Sequence, residues 1–297
     1  MKFLIIPLLS CMYLYSSAQN VINVNGTNIA SAANQTEKKV VDQATLKCYY
    51  AFSKKKEGQD KPYRTDTLVL AIGGKVSRFY DPARLGRDSL IKAKLKNLGT
   101  ENVKSISVYK SDKSRDLSGM QGTIGSNTNE GESYQIFKDR SIGKITVIDN
   151  IAGQDSYQYD DEAAPLPWKI TGAADSILSY ACQKATVHFR GRDYTAWFAP
   201  DVPVSEGPWK FMGLPGLILK VEDDKQLYSF SLVGLQQLNA PQDILMDDVR
   251  MNIKCTRAEF EKQKKKQSSG MQLNLNAGNV IISEIPGKFD YLPMEID

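Results

Sequence analysis

Leu46-Lys47-Cys48-Tyr49-Tyr50-Ala51-Phe52 is the run on which the fold turns. Successive side chains of a strand point to opposite faces, so Leu46, Cys48, Tyr50 and Phe52 fall on one face and Lys47, Tyr49 and Ala51 on the other. The alternation reaches back to Ala44 and predicts a half-buried strand over 44–52. Outward from it, Thr67–Ile72 and Lys75–Tyr80 flank Gly73-Gly74, a hairpin signal. Further β-type segments follow at Val103–Tyr109, Ser133–Lys138, Lys144–Asp149, Thr186–Arg190, Asp193–Phe198, Leu217–Glu222, Leu227–Val233, Val249–Cys255 and Val280–Ile285. Gly and Pro punctuate them, and a Gly/Ser/Asn-rich loop is expected at Ser118–Gly131. Helical spacing is confined to Arg87–Leu98 and to Thr256-Arg257-Ala258-Glu259, a capping box opening a helix through about Gln267 with Phe260 as its apolar contact. The expected fold is mainly β, an antiparallel sheet with one or two short helices.

The start of the chain sets an expected compartment. Lys2, the apolar run Phe3–Tyr15 and the small residues Ser16-Ser17-Ala18 read as a secretory signal, cleaved before Gln19. The run is shorter than the roughly 20 apolar residues of a membrane-spanning helix and is interrupted by Pro7, so no transmembrane helix is expected. Cys11 after Leu8-Leu9-Ser10 loosely resembles a lipidation box, with too little apolar sequence before it. The expected organisation is a signal peptide at 1–18, a polar leader at 19–40, and a single β-rich domain over 41–297 with an irregular tail.

Composition narrows the class. A hydrophobic fraction of 41%, 24% charged residues and a formal charge of +4 are ordinary for a folded water-soluble domain. The lysine runs Lys54–Lys56 and Lys264–Lys266 have few interleaved aromatics, so they lack a nucleic-acid footprint and read as solvated faces. Beyond the signal the cysteines are Cys48, Cys182 and Cys255, an odd number without metal or redox spacing. One disulfide among the three, or none, fits the sequence. Cys48 reads as a small buried hydrophobe.

The stretch from Trp168 to Val221 is the most distinctive. Within it, Gly207-Pro208-Trp209-Lys210-Phe211-Met212-Gly213-Leu214-Pro215-Gly216-Leu217-Ile218 joins a Gly/Pro-rich turn to an apolar strand. Pro215 and Gly216 suit the corners of a type II turn. Leu217-Ile218-Leu219 is continuously apolar, as in a strand covered on both faces.

Gly213 to Ile218 resembles the signature of the GLPGLI family, exported proteins of the Bacteroidetes named for these letters. The resemblance extends through Ser179–Ala185, Phe189-Arg190-Gly191-Arg192-Asp193-Tyr194-Thr195-Ala196-Trp197-Phe198 and Val202-Pro203-Val204-Ser205. It also takes in the Val69–Tyr80 hairpin, Thr256–Phe260 and the closing Tyr291-Leu292-Pro293-Met294-Glu295. The family commonly has Gly where Ser179 stands and Asn-Pro-Ile-Glu where this chain has Leu-Pro-Met-Glu. The resemblance implies similarity to the bowl-like N-terminal domain of a flavobacterial peptide N-glycosidase. It therefore implies a strongly curved, half-open antiparallel sheet or incomplete barrel, and an association with TonB-dependent outer-membrane receptors. It implies no established activity.

Catalytic groups are hard to find in this sequence. The only histidine, His188, sits on an alternating strand opposite Val187 and Phe189, with no acidic partner marked by a motif. No Ser or Cys has a nucleophile elbow. Asp160-Asp161-Glu162, Asp223-Asp224 and Asp247-Asp248 lack calcium-loop spacing and read as solvated turns. No catalytic residue, metal site or cofactor is therefore assigned.

Two features read as a binding surface. Trp209, Lys210 and Phe211 occupy a Gly/Pro-framed loop where aromatic faces can stack on a sugar or grip a peptide, with Trp197 near if the strands pair; the alternative is aromatic plugs closing the core. Arg190 and Arg192 flank Gly191 at a turn or bulge, where their guanidinium groups can hold a carboxylate or phosphate at the mouth of the bowl; the alternative is local pairing with Asp193. The expected function is an exported periplasmic or surface-exposed binding or accessory module, with a peptide or glycan ligand and an outer-membrane receptor or transporter as partner. Acting on envelope glycans or glycopeptides as a hydrolase, or as a hydrolase's accessory domain, is the alternative. No nucleic acid is expected.

Overall fold

The computed structural model describes residues 38–89, 131–151, 156–247, 252–268 and 293–297, together with the backbone of 107–108 and 123–124. The expected signal peptide with Cys11, the leader as far as 37, the strand at 280–285, and most of the 87–98 helix, the 103–109 strand and the 118–131 loop lie outside the described residues. In chain order the elements are β1 (Lys38–Lys54), β2 (Arg64–Gly73), β3 (Val76–Tyr80), α1 (82–89), β4 (Ser107–Val108), β5 (Thr123–Ile124), β6 (Gln135–Asp139), β7 (Lys144–Asn150), β8 (Ser156–Glu162), β9 (Lys169–Ile177), β10 (Tyr180–Phe189), β11 (Arg192–Ala199), β12 (Leu217–Asp223), β13 (Tyr228–Asp247), β14 (Ile253–Lys254) and α2 (Arg257–Ser268). Neither helix is long and apolar enough to cross a membrane.

Twelve strands form one open sheet in the order β14-β8-β7-β6-β3-β2-β1-β13-β12-β11-β10-β9, with β14 and β9 as free edges. Every neighbouring pair is antiparallel except β14 against β8. The tiny β4–β5 pair is also parallel, and β5 falls inside the segment expected as loop. β1 is central, pairing with β2 on one side and β13 on the other along most of its length. Cys48 lies opposite Leu70 and Leu235, and Tyr50 lies opposite Leu68 and Leu232. Leu46, Cys48, Tyr50 and Phe52 are buried on one face, and the Phe52 ring stacks on Phe230 at 4.3 Å between centroids.

That face is concave. A single apolar cluster draws on strands from β8 across to β10, and the β11–β12 connection lies in the hollow as its plug. Phe211 of this connection is wholly buried, with Tyr194, Trp209, Trp168, Phe189 and Phe230 ringing it at 4.8–6.5 Å. Truncating such a ring leaves a cavity and costs about 3–5 kcal/mol. Trp168 Nε1 donates to Met212 O of the plug, and Tyr50 Oη donates to Ile218 O at the start of β12, so both rings satisfy their polar ends on backbone. A smaller cluster of Ala44, Ala71, Val76, Phe137, Ile148 and Ile244 covers the outer face.

Several expectations need correction. Asp81 caps α1 by accepting Arg84 N–H at 3.0 Å and Pro82 takes its first turn, so this helix starts before Arg87. The Pro215-Gly216 corner is not a type II turn. Gly216 N–H bonds back to Leu214 O, and Leu217 N–H leaves the turn for Val202 O. Gly216 is required there, since at φ 155° a Cβ would lie 2.2 Å from Ala199 O. Leu217, Ile218 and Leu219 have no exposed surface, as expected of a strand covered on both faces. Asp160, Asp161 and Glu162 belong to β8, and Asp223 is buried at the end of β12, rather than in solvated turns. Cys48, Cys182 and Cys255 are all free thiols. Burial, reinforced by Glu206, pushes the Cys48 thiol up to about 12.

Candidate functional site

The plug is fastened to the sheet at two points by ion pairs of opposite arrangement. At the first, Glu206 of the connection meets Lys138 of β6 at 2.6 Å, with both side chains at most 1% exposed. Arg140 and the Ser77 hydroxyl also reach Glu206, and Lys138 Nζ donates to Gly207 O and Phe211 O. Burial outweighs Glu206 here and lowers the Lys138 ammonium below its ordinary value. At the second point the connection supplies the cation. Lys210, 2% exposed, bonds Asp161 of β8 at 2.6 Å, Glu295, and the Tyr159 hydroxyl at 3.3 Å.

The arginines flanking Gly191 converge on this second point. Arg190 and Gly191 are the left-handed central residues of the β10–β11 turn, at φ 53° and 77°. Arg190 pairs with Asp161 at 3.2 Å and with Asp297 at 3.5 Å. Arg257, at the start of α2, pairs with Glu295 at 3.2 Å and Asp297 at 2.8 Å. Burial acts against Asp297, but Arg257 and Arg190 outweigh it and hold its carboxyl below the usual range. Arg192 is buried on β11, paired with Asp223 at 3.3 Å and donating to Pro293 O and Met294 O.

Local pairing with Asp193 therefore does not occur at either arginine. Asp193 instead faces His188 across the β10–β11 hairpin at 2.8 Å, an exposed pair that no sequence motif signalled. The arginines do hold carboxylates, those of Asp161, Asp297 and Asp223. Trp197 alternates with the buried Ala196 and Phe198 on β11 and is half-buried away from this group. Trp209, Lys210, Phe211, Arg190 and Arg192 are brought together, while Phe211 itself belongs to the core.

Beside this cluster the concave face keeps a cleft of about 260 Å³. Its aromatic walls include Phe52, Tyr63, Tyr134, Tyr159, Trp209 and Tyr228. Trp209 holds a left-handed backbone, φ 50°, which costs a non-glycine residue of order 1 kcal/mol or more and is tolerated where the surroundings over-determine it. Two ion pairs stand in the walls, Lys54–Glu132 at 2.5 Å and Lys264–Asp149. Burial would raise the Glu132 carboxyl, but Lys54 outweighs it and holds it below the usual range. Lys264 is held above its ordinary value because Asp149 outweighs burial. The Tyr134 hydroxyl is buried with no hydrogen-bond partner among the described residues, and burial followed by Glu132 raises it well above the phenol range.

Reasoning on the sequence missed Glu132, Lys54, Asp149 and Lys264, whose pairings join residues far apart in the chain. It also missed Asp161 and Glu295 as partners of Lys210. The available signal was a lysine between two aromatics in a Gly/Pro frame, a poor place for a solvated charge.

Comparison with known proteins adds the following. A family model described as a protein of unknown function (Porph_ging) matches residues 190–220, the span from the β10–β11 turn through the plug into β12. No curated protein matches the chain. Among solved structures, PNGF-II in its P21 crystal form aligns with 77% of this chain at 14% identity and a TM-score of 0.48, and in its C2 form at 13% identity and 0.47. The chain spans about a third of the length of PNGF-II, 34% in each case.

Proposed function

We propose that this chain is an exported binding or accessory module of the cell envelope, of the GLPGLI type, which takes a peptide or glycan ligand in the cleft beside Trp209 and serves an outer-membrane receptor or transporter. Residues 1–18 are its signal peptide and 41–297 its single domain. The observation that carries the reading is Tyr134, which lines a cleft walled by aromatic rings and whose buried hydroxyl has no hydrogen-bond partner among the described residues. A buried donor left unmade costs about 1–3 kcal/mol, which a ligand hydroxyl or carbonyl at that point recovers. Aromatic rings give such a cleft its contact area, and the charged groups beside them, here Lys54–Glu132 and Lys264–Asp149, can fix a ligand's orientation.

Glu132 fits a binding role and not that of a general acid. A general acid needs a raised carboxyl, whereas Lys54 keeps this one ionised. Its role is that of an acceptor.

The test is a panel of envelope glycans and peptides titrated against the chain, read by tryptophan fluorescence. Saturable binding is expected, weakened about tenfold by Tyr134→Phe, as for one lost hydrogen bond of about 1.4 kcal/mol. Equal binding by Tyr134→Phe, or no binding to any member of the panel, contradicts the reading. Recovery of cleaved ligand in the mass spectrum would assign hydrolysis instead. Export is tested separately by fractionation, with processed protein starting at Gln19 expected outside the cytoplasm.

A further inference from the structure

Pro293–Asp297 lies on the fold in the manner of a bound peptide. Its backbone is read by Arg192, which donates to Pro293 O and Met294 O, by the Tyr194 hydroxyl, which reaches Met294 O at 3.3 Å, and by Arg190 O, which accepts Ile296 N–H at 3.0 Å. Its side chains are read by charge, Glu295 by Lys210 and Arg257 and Asp297 by Arg257 and Arg190. Gly191 gives the close approach, since a Cβ there would stand 2.6 Å from Ile296 Cγ1. Main-chain bonds for grip and side-chain sites for selectivity are the working parts of peptide recognition.

The fit of this occupant is incomplete. Arg190 Nε is buried with no hydrogen-bond partner among the described residues, standing 3.9 Å from Glu295 Oε2, which is held instead by an ion pair with Arg257 Nη1 at 3.2 Å. Glu295 is the one deeply buried residue of the segment, and Ile296 is 54% exposed. Arg190, Arg192, Lys210 and Arg257 outnumber the groove's own Asp161 and Asp223, and this excess of positive charge selects an acidic partner.

We propose that the groove between the β10–β11 turn, β8 and α2 is a binding site for acidic peptide segments carrying a Glu-x-Asp pair after a proline, and that Pro293–Asp297 is its displaceable self-occupant. A tethered occupant acts at a high effective concentration, so a free peptide competes poorly until the segment is loosened. The site does not depend on the cleft taking a ligand.

The test uses the full chain and a fluorescent peptide of the sequence Tyr291–Asp297. Two variants loosen the segment: E295Q with D297N, which removes its side-chain carboxylates, and Ile296→Pro, which removes the N–H given to Arg190 O. Each is expected to bind the peptide at least tenfold more tightly than the unaltered chain. The same peptide with Gln and Asn in place of its two acids is expected to bind at least tenfold more weakly than the acidic form. If the first variant fails to fold, the second still decides, because the side chain it alters is exposed. A folded variant that ignores the peptide, one that binds the neutral peptide equally well, or one that prefers sulfate to the peptide overturns the proposal.

Discussion

Glu206 and Lys210 sit four positions apart on the same connection, yet they anchor it in different ways. Glu206 closes on Lys138, which also donates to backbone of the plug, and on Arg140 and Ser77, with no component that can leave without unfolding the sheet. Lys210 closes on Asp161 of the sheet and on Glu295 of a short segment with two exposed residues. Burial without exit marks a structural lock, while burial shared with a peripheral segment marks a joint that can open. An ion pair in the interior is thus informative about function only once its partners' own attachments are known.

The largest effect is expected at the lock. Glu206→Ala leaves Lys138 buried with carbonyl partners alone and should lower stability by about 3–5 kcal/mol in urea unfolding. Replacing both partners, Lys138→Met with Glu206→Leu, should restore most of that loss, because no fully buried charge is left unpaired and the part-exposed Arg140 keeps the Gly73 and Gly74 carbonyls. Lys210→Met should cost less, about 1–3 kcal/mol, since Arg190 still serves Asp161 and Arg257 still serves Glu295. A larger loss at Lys210 than at Glu206 would reverse the assignment of lock and joint.

Acid separates the two anchors further. Asp297 has a lowered folded carboxyl, so its contribution to stability is full above the ordinary value of 3.8 and fades as pH falls through the lowered one. Asp297→Asn should lower Tm slightly near neutrality and remove that slope below about 4, so that the two curves of Tm against pH converge in acid. Thiol labelling gives the smallest signal. Cys48, beside the lock and held at about 12, should react only as fast as the whole sheet opens, whereas half-exposed Cys255 next to α2 should label in the folded state.

The sheet was legible in the sequence to the extent that its strands alternate. β1, the β2–β3 hairpin, β6, β7, β11 and β12 stand where apolar periodicity put them, because one face of each is buried by the same hollow. β9 was missed because all but one of its residues are exposed and carry no pattern. The far half of β13 was missed because it pairs with the polar start of β1 rather than with core. Asp161 and Glu295 were unreadable for another reason. Nothing local distinguishes a carboxylate destined for a buried lysine from one left in water, and only the curvature of the sheet brings β8, the plug and 293–297 together.

Native-state hydrogen exchange tests the lock-and-joint account most directly. The Ile218 amide, bonded to Glu206 O, should exchange only through global unfolding, with full denaturant dependence. The Ile296 amide, bonded to Arg190 O, should exchange at least a hundredfold faster through a local opening that is insensitive to denaturant. Equal rates and equal denaturant slopes at the two amides would show one cooperative unit and contradict the account.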